Sequence, residues 1–509
     1  MNETSNNPSQ PGFASRLFRW ALSWRILRRT LITLAVMLTL IAAIYTEENW
    51  RGQRAWAQCK RDLIAAGYEM DWHNLIPPPV PDEQNVFKAP HMQEWFVRPT
   101  GFASTATTGA PNSLQALLTH PNLAFFGKES RITNAVAANE FLDWSRQFTP
   151  EFDLIRTALQ RPSARMEGDY SKPFEMPIPN FVMLRCLAQT FAQRAHCHLL
   201  LGQPNAALAD LTFIHATRKL LFGQSPGKPM TLVAAMIHVA ITGLYTSIIE
   251  EGLHNHAWQE AQLLALESQL AELNLPATVY EAFSCELTAS SHAFEHEPFS
   301  KLMNLSLVVT NQKQTQGIWH ELWNRIKGWR SHLYDAAPRG WLLQNMVTHA
   351  RLERLILESM QGYDTNMQPQ RMQAAQQKLE AELERPSRFN LIARIAIPNF
   401  FKARLTTARN QTTVSQARIV CALERFHRAQ GQYPETLAAL SPQFLTSVPN
   451  DLIGGQPFKY RRHPDGSALL YSIGWNETDD GGTAVLTSGN NPTPELTQGD
   501  WVWTLSPAK

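Results

Sequence analysis

The stretch 31-LITLAVMLTLIAAIY-45 decides the architecture of this chain. It carries no charge, and its only hydroxyls besides Tyr45 are those of Thr33 and Thr39. With Thr30 and Thr46 it makes a span of about 17 residues, at the short end of what crosses a bilayer. Arg16, Arg19, Arg25, Arg28 and Arg29 lie on its N-terminal side, Glu47 and Glu48 on the other. Basic residues favour the cytoplasmic flank, so the N-terminus is expected in the cytoplasm. Trp20, Trp24, Tyr45 and Trp50 stand where interfacial aromatics are found. Ala42 and Ala43 are small, but Ile44, Tyr45 and Glu47 follow, a poor cleavage site for a secretory signal. The expectation is a single-pass membrane protein with a basic cytoplasmic tail (1–29), a transmembrane helix (30–46) and the remainder on the far side of the membrane.

Beyond the anchor the charges balance. The chain holds 46 Lys and Arg against 44 Asp and Glu, and the first 30 residues contain five Arg and one Glu. What is left is close to neutral, which gives no electrostatic reason to bind nucleic acid. With 44% apolar residues it should fold around true cores. Cys59, Cys186, Cys197, Cys285 and Cys421 are odd in number and scattered, which is not a disulfide framework. No CxxC occurs, so a zinc ribbon is not expected.

The body reads as mainly α. Residues 47–82 suggest a membrane-proximal helix followed by a linker, since Ile76-Pro-Pro-Pro-Val-Pro81 stops any helix and stays extended. Residues 83–399 suggest a large helical domain. Between Phe181 and Leu221 the pattern divides at Gly202-Gln-Pro-Asn205 into two helices rich in small residues, an antiparallel hairpin of tetratricopeptide type. Thr231 to Tyr245 is apolar, but His238 and Gly243 and the lack of flanking anchors make it a buried core helix rather than a second span. Leu263, Leu266, Leu270 and Leu273 form one stripe of an amphipathic helix.

Residues 400–509 change character, to a small α+β module. A helix over 400–429 ends at Gly431, and a short helix follows Tyr433-Pro434. Pro464-Asp465-Gly466 marks a hairpin turn between strands at 458–461 and 468–473, and 501–505 alternates as a last strand. This order resembles the globular end of the major pseudopilin of type II secretion. The matching residues are Gly431, Tyr433, Pro434, Val448, Pro449, Asp451, Gly454, Tyr460, Tyr471, Ser472, Gly474 and the loop from Asn476 to Gly482. It covers about a fifth of the chain. Leu452 and Ile453 depart from that family's Pro-Trp, 483–499 is a longer insert, and the family's N-terminal assembly helix is not attached. The resemblance implies calcium on the loop, with Asp479, Asp480 and Asp500 as ligands, and hard oxygen donors suit that ion. More broadly, Glu48-Asn-Trp-Arg-Gly-Gln-Arg-Ala-Trp56, Ile76–Asp82 and Tyr471–Gly482 resemble a group of bacterial single-pass membrane-anchored proteins. That resemblance implies architecture and supplies no activity.

Four motifs suggest chemistry. His292-Ala-Phe-Glu-His296 matches H-x-x-E-H, in which two histidines one turn apart share zinc and Glu295 serves as base. Downstream, Glu380 and Glu382 are the candidates for a third ligand. Gly223-Gln-Ser-Pro-Gly227 matches G-x-S-x-G but follows a helix, where a nucleophile elbow requires a strand. His196-Cys197-His198 puts its imidazoles about 200° apart on a helix, out of reach of one ion. His254 and His256 flank Asn255 in a loop.

The leading expectation is a non-enzymatic scaffold of the bacterial envelope, anchored in the inner membrane with its body periplasmic, whose C-terminal module contacts envelope proteins; the pseudopilin resemblance implies secretion or envelope assembly as its setting. The alternatives are an anchored metal-dependent hydrolase using His292, Glu295 and His296, and a ligand- or peptide-binding module in a helical groove.

Overall fold

The computed structural model describes residues 24–98, 113–119, 132–222, 230–297, 337–385, 387–397, 400–487 and 493–506. The chain is mainly helical. Helix α1 (Trp24–Ala65) is 42 residues long and contains the whole apolar run. It is long and apolar enough to cross a membrane. From Leu31 to Ile44 every large apolar side chain is exposed. The hydroxyls of Thr30, Thr39 and Thr46 donate to the carbonyls of Ile26, Ala35 and Ala42, so none demands an outside partner.

The sequence suggested a separate membrane-proximal helix and then a free linker. Instead α1 runs unbroken past Thr46, because Glu, Arg, Gln and Ala between 47 and 65 are all good helix formers. Its exposed face gives way to a stripe at Glu48, Gly52, Trp56, Cys59 and Leu63, spaced three and four apart and buried. The stripe packs along α10 (Arg339–Ser359) through Leu343, Met346, Val347 and Ala350. At the lower end of this seam Gly52 and Gly340 face each other, and Gly340 also lies on the Glu48 carbonyl. A Cβ on either would overlap the opposing backbone. The proline-rich stretch is held too: the Pro77 carbonyl accepts from Arg165 Nε at 3.0 Å, and Leu75 and Ile76 pack against buried Trp72 and Tyr170.

Two large cores fill the body. One gathers α2 (Met92–Phe96), α3 (Ala135–Arg146), α4 (Thr149–Leu159), α5 (Phe181–Leu200), α6 (Pro204–Thr217) and α8 (Glu260–Ala271). α5 and α6 form the expected hairpin, turned at Gly202 with φ +67°. The other gathers the lower half of α1, α9 (Leu275–His296), α10, α11 (Pro369–Glu384) and α12 (Leu391–Ala396). Helix α7 (Leu232–His254), the second apolar run, is packed among α5, α9 and α13 (Phe400–Gln430). Cys59, Cys186, Cys197, Cys285 and Cys421 are all free and buried.

A two-residue pair, β1 (Val97–Arg98) with β2 (Ile178–Pro179), lies in the helical body, and the C-terminal strands form further small antiparallel sheets. β3 (Lys459–Arg462), β4 (Ala468–Ser472) and β7 (Trp501–Leu505) make one sheet in that order. The turn forms where Pro464-Asp465-Gly466 placed it, with Gly466 at φ +86°. β5 (Ala484–Leu486) and β6 (Pro494–Gly499) pair separately within the insert. Both cores take in side chains from this region: Tyr433, Leu470 and Trp503 in one, Ile453, Trp475 and Trp501 in the other.

Candidate functional site

The last turn of α9 places His292 and His296 on one face, as their spacing requires. Their rings stack with centroids 4.3 Å apart. His296 Nδ1 donates to the His292 carbonyl at 2.8 Å, which leaves Nε2 as the lone-pair nitrogen of the neutral ring. A third imidazole, His73, meets His292 edge-on at 5.8 Å. Nothing in the sequence pointed to it. It is set by a 3₁₀ turn over Trp72–Leu75, capped by Asp71 and pinned by Trp72, whose indole donates to the Tyr170 carbonyl at 2.7 Å. The three rings line a cleft of about 390 Å³ with Lys172, Phe174 and Glu297. Burial holds the His292 pKa below the usual imidazole value, helped by His296 and His73 and opposed by Glu295 and Asp71.

Glu295 does not join them. Its carboxylate accepts from Trp56 Nε1 and from Lys60 Nζ at 3.1 Å, both on α1, and the Glu295 carbonyl accepts from Arg339. The helix thus divides H-x-x-E-H between two neighbours: the histidines to the cleft, the acid to α1. Glu380 and Glu382 lie on α11, where Glu380 accepts from Gln376. Among the described residues no three His, Cys, Asp or Glu side chains form a group that could hold a metal ion.

The remaining sequence candidates are separated. His196 contacts Glu251 and the Ile132 carbonyl, while His198 faces Gln203 and Asp210. His254 stacks on Trp503, and His256 pairs with Glu424 at 3.0 Å. Gly223–Gly227 lies outside the described residues.

In the C-terminal loop, Asp500 accepts from the backbone N–H of Gly482 at 2.7 Å and of Asp480 and Thr483 at 3.3 Å. Asp479 accepts from Gly481 N and the Tyr471 hydroxyl, both at 3.1 Å, and pairs with Lys459. Asp480 accepts from Asn476. These carboxylates are turned toward N–H and O–H donors and hold the loop closed through them.

No protein family, curated protein or solved structure matches the chain.

Proposed function

We propose that this chain is a membrane-anchored scaffold of the bacterial envelope, with its N-terminus cytoplasmic, its body periplasmic, and its C-terminal region carrying protein contacts. The observation that supports this most is the continuity of α1 from its exposed apolar half into a seam with α10 closed by Gly52 and Gly340. An enzyme on a tether needs no such join, whereas a scaffold must hold its contact surfaces at a fixed place relative to the membrane. A docking candidate exists on the insert: β5 is exposed throughout, and Val485 and Leu486 are 38% and 55% exposed. The arginine flank supports the orientation. Secretion or envelope assembly is the setting that the pseudopilin resemblance suggests.

Photo-crosslinking in cells from Val485 and Leu486 tests the reading. A discrete adduct with an envelope protein, lost in Leu486→Asp, supports it. No adduct from either position, together with robust turnover by the purified chain, contradicts it.

The histidine cleft favours a second reading, a ligand-binding groove. Equilibrium binding of small ligands to the full chain, abolished by His292→Ala with His296→Ala, would establish it. Equal binding by the double variant would remove it.

A further inference from the structure

We infer that the base of the globular body, around Arg339, Gly340, Trp341, Arg388 and Phe389, sits in the lipid headgroup layer and that Arg388 takes up a phospholipid phosphate there. The inference rests on the reading of residues 30–46 as a membrane span.

The geometry fixes the height. α1 is one helix from Trp24 to Ala65, so each residue past Tyr45 adds about 1.5 Å along the axis. Glu48 therefore lies about 4.5 Å beyond the apolar run. The headgroup layer is about 5–7 Å deep on each side of a hydrocarbon core about 30 Å thick. A charge-free run of about 17 residues spans only about 25 Å, so there is no slack to lift the body off the lipid. The first turn of α10 is fastened at this level. Gly340 rests on the Glu48 carbonyl, and its N–H donates to Asn49 Oδ1 at 2.8 Å.

The chemistry at this level suits lipid. The Arg388 side chain is 57% exposed. Its guanidinium lies over the rings of Trp341 at 5.1 Å and Phe389 at 4.8 Å. Its backbone is tied down, because the Arg388 carbonyl accepts from Asn345 Nδ2 at 2.7 Å. Glu48, its ion-pair partner, stands 3.9 Å away and is shared with Arg51 at 3.6 Å and with Gln344 at 3.2 Å. Most of the five guanidinium N–H donors thus remain for an outside acceptor, and a phosphate is the acceptor that this layer supplies. On the neighbouring face of α1, Trp50 is 54% exposed and carries Arg54 over its ring, an interfacial aromatic at the same depth.

The test uses the full chain in phosphatidylcholine–phosphatidylglycerol vesicles. A fluorophore is placed on Ser387→Cys or, about 20 Å above the apolar run, on Gln58→Cys; the five native cysteines are buried. A nitroxide on the choline headgroup should remove about half of the emission at Ser387 and little at Gln58, given the depth of the headgroup layer. Equal quenching at the two positions would overturn the placement. Separately, Arg388→Gln should weaken retention of phosphatidylglycerol about fivefold. Unchanged retention would overturn the phosphate assignment. The span itself is read from a label on Leu38→Cys with an acyl-chain nitroxide. Absence of quenching there would sink the span, whatever the other arms show.

Discussion

At the scale of single residues, the most consequential groups are acids and imidazoles held between α9 and α10. Glu286 accepts from the Leu232 N–H at 2.7 Å, and burial pushes its carboxyl up to about 7. Glu353, 6% exposed, is raised well above the usual range by burial and by Glu286. His349 contacts Ser290 at 3.2 Å, and burial brings it down to about 4. The two kinds of group act in opposite directions. An acid raised in the fold costs stability as pH climbs from its unfolded value, about 4.5, through about 7. A depressed histidine costs stability as pH falls below its unfolded value, about 6.5. Glu286→Gln keeps an acceptor for Leu232 and removes the ionisation. Its Tm should match that of the parent chain at pH 4 and exceed it at pH 8, by the equivalent of about 1–3 kcal/mol. Parallel melting curves across that range check it; a gain at pH 4 as large as at pH 8 would show that charge is not the cause. The same scale explains what the sequence concealed at the cleft. The spacing of His292 and His296 fixes their shared face, but the direction of Glu295 depends on Trp56 and Lys60, more than 230 residues away in the chain.

At the scale of elements, the α1–α10 seam is the join that matters. An exposed helical glycine usually gains about 0.5–1 kcal/mol when changed to alanine. Gly340→Ala should have the opposite sign. Its methyl would overlap the Glu48 carbonyl, and overpacking of this kind costs about 1–3 kcal/mol. Thermal unfolding of the full chain measures this, and a raised Tm would mean that the helices are not in contact there. Much of the secondary structure was legible. A charge-free run marked the exposed apolar half of α1, Gly202 with Pro204 divided α5 from α6, and Pro464-Asp465-Gly466 placed the β3–β4 turn, each a local signal. The seam was not, although the stripe Gly52, Trp56, Cys59, Leu63 has helical spacing. Its partner is remote: Asn49 and Gly340 are 291 residues apart. A proline-rich stretch likewise reads as free until Arg165 is found on Pro77.

At the scale of the whole molecule, the helical body and the C-terminal strands are built together. α13 packs on α7 and α8, and Gln416 within it donates to the Trp501 carbonyl at 2.7 Å. Met367 exchanges backbone hydrogen bonds with Leu452 and Gly454. If residues 31–45 span the bilayer as proposed, the packing of α1 along α10 holds the body at one height and in one orientation. Cysteine scanning of α1 in intact membranes, read with a membrane-impermeant maleimide, tests this most directly. The predicted result is a fully protected stretch over residues 31–45, followed from residue 47 to 65 by alternation. Arg51, Gln53 and Gln58 should react, while Trp56 and Leu63 should stay protected. Reactivity within 31–45 would contradict the span, and uniform reactivity over 47–65 would contradict the fixed join.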